Sequence, residues 1–229
     1  MMLTECRAVG REVLFVVLDL PERYQQAAST IGFEPVENGF ARRFPAESRH
    51  LDRAYANFSR LVEDLFLTEA GESAKRWDVA LEALLGAVRG HDLNWYLVGS
   101  ASLAVRDLDV APGDIDLAVD ADGANQLADI LSDALIEPII PVSGWICDWW
   151  GRAFLGCRVE WVGAVHPSVD TPLPTDFGPT AASRLETVAW RGHTLRVPPL
   201  DLLLAISERR GLAGRASRIR EAIGKQDAG

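Results

Sequence analysis

The stretch Trp95-Tyr-Leu-Val-Gly-Ser-Ala-Ser-Leu-Ala-Val-Arg-Asp-Leu-Asp-Val-Ala-Pro-Gly-Asp-Ile-Asp-Leu-Ala-Val119 decides how this chain is read. A short apolar run, residues 95–98, ends at Gly99-Ser100. A small helix is expected over 101–106, a turn at Ala111-Pro112-Gly113, and a second buried strand over 115–119. Residues two apart on a strand face the same side, so Asp114 and Asp116 point together while Ile115 and Leu117 enter the core. Two carboxylates on one face repel each other unless a cation lies between them. Mg²⁺ suits that place, because it takes a few carboxylate oxygens and completes its shell with water and substrate phosphate. Glycine at the end of the preceding strand permits close backbone approach, and the amides opening the next helix, with the Ser100 hydroxyl, suit phosphate oxygens. A phosphate site facing a metal site is what phosphoryl transfer requires.

A D-x-D triplet or a Gly-Ser dipeptide alone is commonplace; their order and separation, with hydrophobic residues alternating around both, carry the reading. Upstream, Val-Leu-Phe-Val-Val-Leu over 13–18 is strand-like, and Asp19-Leu20-Pro21-Glu22 signals a helix that should stop near Gly32. Asn38-Gly39 between two short strand-like runs marks a hairpin. Over 48–66, Leu51, Tyr55, Phe58, Leu61, Val62 and Leu65 recur at helical spacing. Residues 68–73 lose the pattern. The organisation expected is a small N-terminal α+β domain over 1–67, a linker over 68–75 and a second domain over 76–229. Within the second, 77–88 and 125–135 read as helices, 158–162 as a strand and 164–180 as a proline-rich loop. Two strand-like pieces flank Gly192, and a helical region runs from 199 to about 223 with a break at 211–214.

Of the 229 residues, 48% are hydrophobic, 24% charged and 8% aromatic, which excludes disordered and collagen-like chains. A chain this long buries roughly 70% of its unfolded surface and needs neither metal nor disulfide to hold a core. The net charge of -10 argues against a broad nucleic-acid or anionic-membrane surface. Its location matters more: residues 107–183 carry 13 acidic and 2 basic side chains, whereas residues 184–229 carry 9 basic and 5 acidic. A bound cation would neutralise part of the central acidity, so an RNA end stays open as a partner. Cys6, Cys147 and Cys157 lack metal-type spacing and read as three buried thiols in a reducing compartment. The apolar run at 13–18 is too short for a signal sequence or a membrane span, so a cytoplasmic location is expected. His50, His91, His166 and His193 are scattered, and zinc is not expected. G-x-S-x-G, G-x-G-x-x-G and Walker patterns do not occur, which argues against a serine hydrolase, a dinucleotide dehydrogenase and a P-loop enzyme.

Val98-Gly99-Ser100 followed, after thirteen residues, by Asp114-Ile115-Asp116-Leu117 resembles the signature of the nucleotidyltransferase-fold superfamily, which includes antibiotic nucleotidyltransferases, CCA-adding enzymes and toxin components. Pro112-Gly113-Asp114-Ile115-Asp116-Leu117 is similar to a bacterial and archaeal group within it. The resemblance covers about residues 90–165 and, loosely, the C-terminal helical region. It implies an α+β (α/β-like) nucleotidyltransferase fold, a small mixed sheet flanked by helices, to which this chain adds an N-terminal α+β domain and C-terminal helices. It also implies transfer of a nucleoside monophosphate from an NTP such as ATP to a hydroxyl or phosphate acceptor on a small molecule, tRNA or protein. Mg²⁺ at Asp114 and Asp116 is part of that expectation, with room for a second metal ion. The family carries a third carboxylate on a later strand; Glu160 is the counterpart here, as metal ligand and proton acceptor. Gly99 and Ser100 are expected to hold the β,γ-phosphates, and Arg209 and Arg210, on a basic face with Arg215 and Arg218, to meet the triphosphate. Asp120 and Asp122 should lie in a solvated turn; Trp145, Trp149 and Trp150 cluster between the second and third carboxylates, where core or dimer packing is expected of at least two and a stacking surface for an acceptor or base is the alternative. The rival expectation is a catalytically silent nucleotide- or partner-binding module of the same fold, such as one half of a toxin–antitoxin pair. Either is compatible with a homodimer.

Overall fold

A computed structural model describes residues 2–144 and 146–226; Trp145 therefore lies outside the described residues. The chain opens with β1 (Thr4–Val9), β2 (Glu12–Leu18), α1 (Glu22–Thr30), β3 (Glu34–Val36), β4 (Gly39–Pro45) and α2 (Leu51–Glu69). The strands form an antiparallel sheet in the order β1-β2-β4-β3, and Asn38 closes the expected hairpin. On β2, Val13, Phe15 and Val17 enter the main core, whereas Leu14 and Val16 serve a smaller cluster on the opposite face. The Phe15 ring meets Phe44, Tyr55 and Phe58 with centroids 4.8, 5.2 and 5.6 Å away. Full burial of each such phenylalanine contributes roughly 1.5–3 kcal/mol.

Beyond Glu69 come α3 (Trp77–Val88), β5 (Trp95–Val98), α4 (Gly99–Ala104), β6 (Ile115–Val119), α5 (Ala121–Ile130), β7 (Leu135–Pro141), β8 (Cys147–Phe154) and β9 (Arg158–Val165). A 3-10 turn (Pro167–Asp170), α6 (Pro179–Ala182), β10 (Glu186–Trp190), β11 (His193–Val197), α7 (Leu200–Arg209) and α8 (Ala213–Gln226) complete it. The architecture is mixed α+β, as expected. The central sheet runs β5-β6-β9-β8-β7, with β6 and β9 parallel and the other neighbours antiparallel.

Several local expectations need correction. The helix expected over 125–135 starts at Ala121 and ends at Ile130, because Asp120 caps it by accepting the Gly123 N–H at 2.7 Å. Strands β7 and β8 break the apolar pattern with buried Glu137 and Arg152 and with Pro138 and Pro141. Prolines are tolerated in β7 because it is an edge strand with irregular register. Strand β1 has no buried residue, so it carries no burial signal. Cys147 and Cys157 are buried free thiols, but Cys6, on the edge strand β1, is exposed.

One face of the central sheet, with Leu97, Ile115, Leu117, Val159 and Trp161, shares a continuous core with α3, α5 and the N-terminal aromatics Phe15 and Phe58. Helix α2 packs along β7. On the other face, Tyr96, Val98, Ala118 and Val162 are covered by Ala181 of α6 and Leu202 and Ile206 of α7. Among the described residues no helix is long and apolar enough to cross a membrane.

Trp161 is the largest fully buried side chain among the described residues, and its indole N–H donates to the Ala124 carbonyl at 3.2 Å. Its cross-strand partner is Gly151, where a Cβ would stand 2.1 Å from the ring. Gly151→Ala therefore forces the indole off its seat and should lower stability by roughly 1–3 kcal/mol, read as a fall in the urea midpoint without a change in slope.

Candidate active site

Register brings the chemistry together. Val98 pairs with Asp116 across β5 and β6, Asp116 with Glu160 across β6 and β9, Glu160 with Arg152 across β9 and β8, and Arg152 with Glu137 across β8 and β7. Paired residues on neighbouring strands present their side chains to the same face. A single row thus crosses all five strands as apolar, acid, acid, base, acid. Asp114, immediately before β6, completes the acidic group: oxygens of Asp114, Asp116 and Glu160 lie within 4.8 Å of one another. The structure therefore brings together the two carboxylates of the D-x-D triplet and the third one inferred from β9.

Arginines brace two of these three acids. Arg158 donates from Nη2 to Asp114 Oδ2 at 2.8 Å, from Nη1 to Glu160 Oε1, and from Nε to Glu69 Oε1 at 2.8 Å. Arg152 donates from Nε to the same Glu160 Oε1 at 2.8 Å and from Nη1 to Glu137 Oε1. Burial disfavours charge on both guanidiniums, but the surrounding carboxylates outweigh it and hold both arginines protonated. Both lone pairs of Glu160 Oε1 are thereby engaged.

Among the described residues, no guanidinium hydrogen-bonds Asp116. Burial, then the charges of Asp114 and Glu160, push its pKa up to about 8, with Arg158 offsetting part of the rise. Gly99 explains how this side chain fits: its φ is +63°, and a Cβ there would lie 2.7 Å from Asp116 Oδ2. Only glycine lets the turn after β5 pass so close to the carboxylate. The donor set is all hard oxygen, carries more negative charge than its arginines balance once Asp116 gives up its proton, and fits a cation such as Mg²⁺ or Mn²⁺, whose binding displaces that proton.

A pocket of about 220 Å³ opens beside these groups, lined by Gly99, Asp116, Glu160, Trp150, Phe177 and Arg210, among others. Of the predicted phosphate residues, Gly99 and Arg210 reach it, while Ser100 is nearly buried on α4. Arg209 turns away and donates to the Pro174 carbonyl at 2.8 Å, and Arg218 pairs with Asp109 at 3.1 Å. Arg215 is drawn into the site's field: burial and Arg210 lower its proton affinity, while Asp176, Asp114 and Asp116 raise it. Trp149 is only partly buried, against the core of the other sheet face, and Trp150 lines the pocket.

Sequence reasoning missed three contributors. Arg152 and Arg158 are the only two basic residues between 107 and 183, a signal that was available. Asp176 sits in the proline-rich loop, where Asp170 ties Thr175 and Thr180 together, and its Oδ2 accepts the Gly99 N–H at 3.0 Å.

No family model matches the chain, and no curated protein does. Two solved structures are similar in fold. One is a Thermotoga maritima protein provisionally named a nucleotidyltransferase, 23% identical over 63% of this chain and 91% of that one, with a TM-score of 0.47. The other is ANT(2'')-Ia in complex with adenylyl-2''-tobramycin, 12% identical over 66% of this chain and 91% of that one, with a TM-score of 0.42.

The raised proton affinity of Asp116 has a thermodynamic sign. The folded protein keeps this proton up to about pH 8, whereas the unfolded chain releases it near the ordinary value of about 4. Stability in the presence of chelator should therefore fall as pH rises through that window. Mn²⁺ should raise the melting temperature more at about pH 8.5 than at about pH 5.5, and Asp116→Asn should flatten both dependences. Differential scanning calorimetry at the two pH values checks it.

Proposed function

We propose that this protein is a metal-dependent nucleotidyltransferase that moves a nucleoside monophosphate from an NTP to a hydroxyl or phosphate acceptor. The observation that carries the reading is the convergence of Asp114, Asp116 and Glu160 beside Gly99, with a pocket between them and Arg210. Asp114, Asp116 and Glu160 would hold a divalent cation such as Mg²⁺, which when bound supplies charge neutralisation for the triphosphate and the departing pyrophosphate. Asp116 supplies the least compensated carboxylate, and the cation would take the place of the proton it holds. Glu160 offers Oε2, because its other oxygen is held by Arg152 and Arg158. That restraint suits it better to holding a ligand in place than to carrying away a proton.

Gly99 presents its N–H to the pocket, and Asp176 holds that donor in the free protein. An incoming phosphate oxygen takes over the same hydrogen bond, one anion exchanging for another. Arg210, with Arg215 in the field of the same acids, gives the triphosphate positive charge to meet, and Trp150 and Phe177 give an apolar surface for a base or an acceptor. The acceptor is a small molecule, an RNA end or a protein side chain. A cytoplasmic setting belongs to the same reading, which is compatible with a homodimer.

With α-labelled NTPs, Mg²⁺ and a panel of aminoglycoside, tRNA and protein acceptors, pyrophosphate release and label transfer are expected for the wild type. Asp116→Asn should reduce the rate by about three orders of magnitude, the several kcal/mol that a bound metal contributes. Metal and NTP binding with no pyrophosphate released on any acceptor would assign the protein instead to the silent binding modules of this fold.

Relieving the competition at Gly99 is a separate test. Asp176→Ala frees the N–H and removes a negative charge facing the triphosphate, so Mg·NTP should bind several-fold more tightly by isothermal titration calorimetry, about 1 kcal/mol.

A further inference from the structure

Accepting the proposed metal site, we infer that Arg152 is a positioning residue through which the elements before residue 70 align Glu160. The juxtaposition behind this is one relay that starts at half-buried Arg42 on β4 and runs inward through buried Glu137 on β7, Arg152 on β8 and Glu160 on β9, each touching the next, and both arginines rest on the C-terminal end of α1.

Each link is short. Arg42 Nη2 donates to Glu137 Oε2 at 2.7 Å, and Arg42 Nη1 to the Gly32 carbonyl at 3.2 Å. Arg152 Nη1 donates to Glu137 Oε1 and to the Ile31 carbonyl at 2.9 Å, while Nε holds Glu160. A Cβ at Gly32 would come within 2.1 Å of Arg42 Nη1, so the arginine lies flat over the turn that ends α1. The last carbonyls of a helix lack intrahelical donors and carry its partial negative charge. Here the Ile31 carbonyl receives Arg152, and the Gly32 carbonyl, just beyond the helix, receives Arg42.

A planar guanidinium gripped on two sides has little rotational freedom, and its third contact, Glu160, inherits the restraint. A parallel tether fixes the other brace: Glu69, at the end of α2, accepts Arg158 through Oε1 and Lys75 through Oε2 at 3.0 Å. Both arginines that hold the carboxylates are thus anchored on N-terminal elements.

Stability is a poor reason for this arrangement. The Glu137 and Arg152 side chains are 3% and 6% exposed, and buried ion pairs of this kind are often matched or exceeded in stability by apolar residues of similar volume. Their common end point, a carboxylate of the metal site, gives the arrangement a use. Groups that orient metal ligands from behind typically alter metal affinity by 10–100-fold.

The test uses the full chain and Mn²⁺ alone, with affinity read by electron paramagnetic resonance and fold stability by urea denaturation. Arg42→Gln, far from the carboxylates, should weaken Mn²⁺ about tenfold, and Arg152→Lys, which keeps the charge but loses the fork, should do so at least as strongly. The double variant should be no weaker than Arg152→Lys alone, because Arg42 acts through Arg152. Phe58→Leu, which loosens the N-terminal core without touching the relay, should lower the urea midpoint and leave Mn²⁺ affinity at the wild-type value. Wild-type affinity in Arg42→Gln and Arg152→Lys, with affinity lost in Asp116→Asn, overturns the positioning role and leaves the metal site standing. Wild-type affinity in Asp116→Asn overturns the metal site and the inference with it.

Discussion

Three carboxylates whose oxygens approach within 4.8 Å, partly shielded from water, repel one another, and much of this molecule is arranged around that repulsion. Glu160 and Asp114 are compensated by two arginines, whereas Asp116 is left without one and holds its proton to about pH 8. A cluster whose third acid keeps its proton is balanced by two arginines, and its third negative charge appears only when a metal or high pH removes that proton. One with no arginines would impose a repulsion that the parallel pairing of β6 and β9 could hardly carry. The imbalance latent at Asp116 is what makes the proposed chemistry reasonable. The same constraint accounts for Gly99, since a carboxylate this close to the preceding turn tolerates no side chain there.

What could be read in advance follows the range of the interactions involved. Asp114 and Asp116 belong together because of a strand's two-residue period, which is local, and the hairpin at Asn38-Gly39 and the helix over Trp77–Val88 are local as well. Glu160 joined them by family resemblance and by the alternation of β9. Arg152 and Glu137 could not be assigned this way, because their relation to Glu160 exists only once β7, β8 and β9 are in register, and their own charges concealed two of those strands. Arg209 and Arg210 differ by one residue and therefore by about 100° around α7. Only Arg210 lines the pocket, and no periodicity distinguishes them without knowing which face the helix buries. Asp176 lies in an aperiodic loop positioned by hydrogen bonds that the Asp170 carboxylate accepts from Thr175 and Thr180, for which composition offers no ruler.

The charge asymmetry of the chain also takes on structural meaning. The two basic residues among fifteen charged side chains over 107–183 are the two that meet the acidic cluster. The basic excess of the C-terminal segment is divided: Arg210 and Arg215 face the cluster, while Arg209 and Arg218 are committed to a loop carbonyl and a surface acid. A net charge of -10 thus describes a molecule whose acidic excess lies in one stretch of sequence, of which Asp114, Asp116 and Glu160 form the cluster.

The row that crosses the central sheet bears on folding fidelity as well as on chemistry. Sliding β9 by one residue past β6 would turn Glu160 toward Leu117 and Ile115 and bring Trp161 out beside Asp116, exchanging a compensated charge for an orphaned one and a filled core for a cavity. In a purely aliphatic sheet, neighbouring alignments differ only by packing; here the wrong alignment strands acids in oil. The polar row therefore works as a molecular key, admitting one alignment of the strands, so that a sheet assembled without error is already a sheet with its chemistry in place.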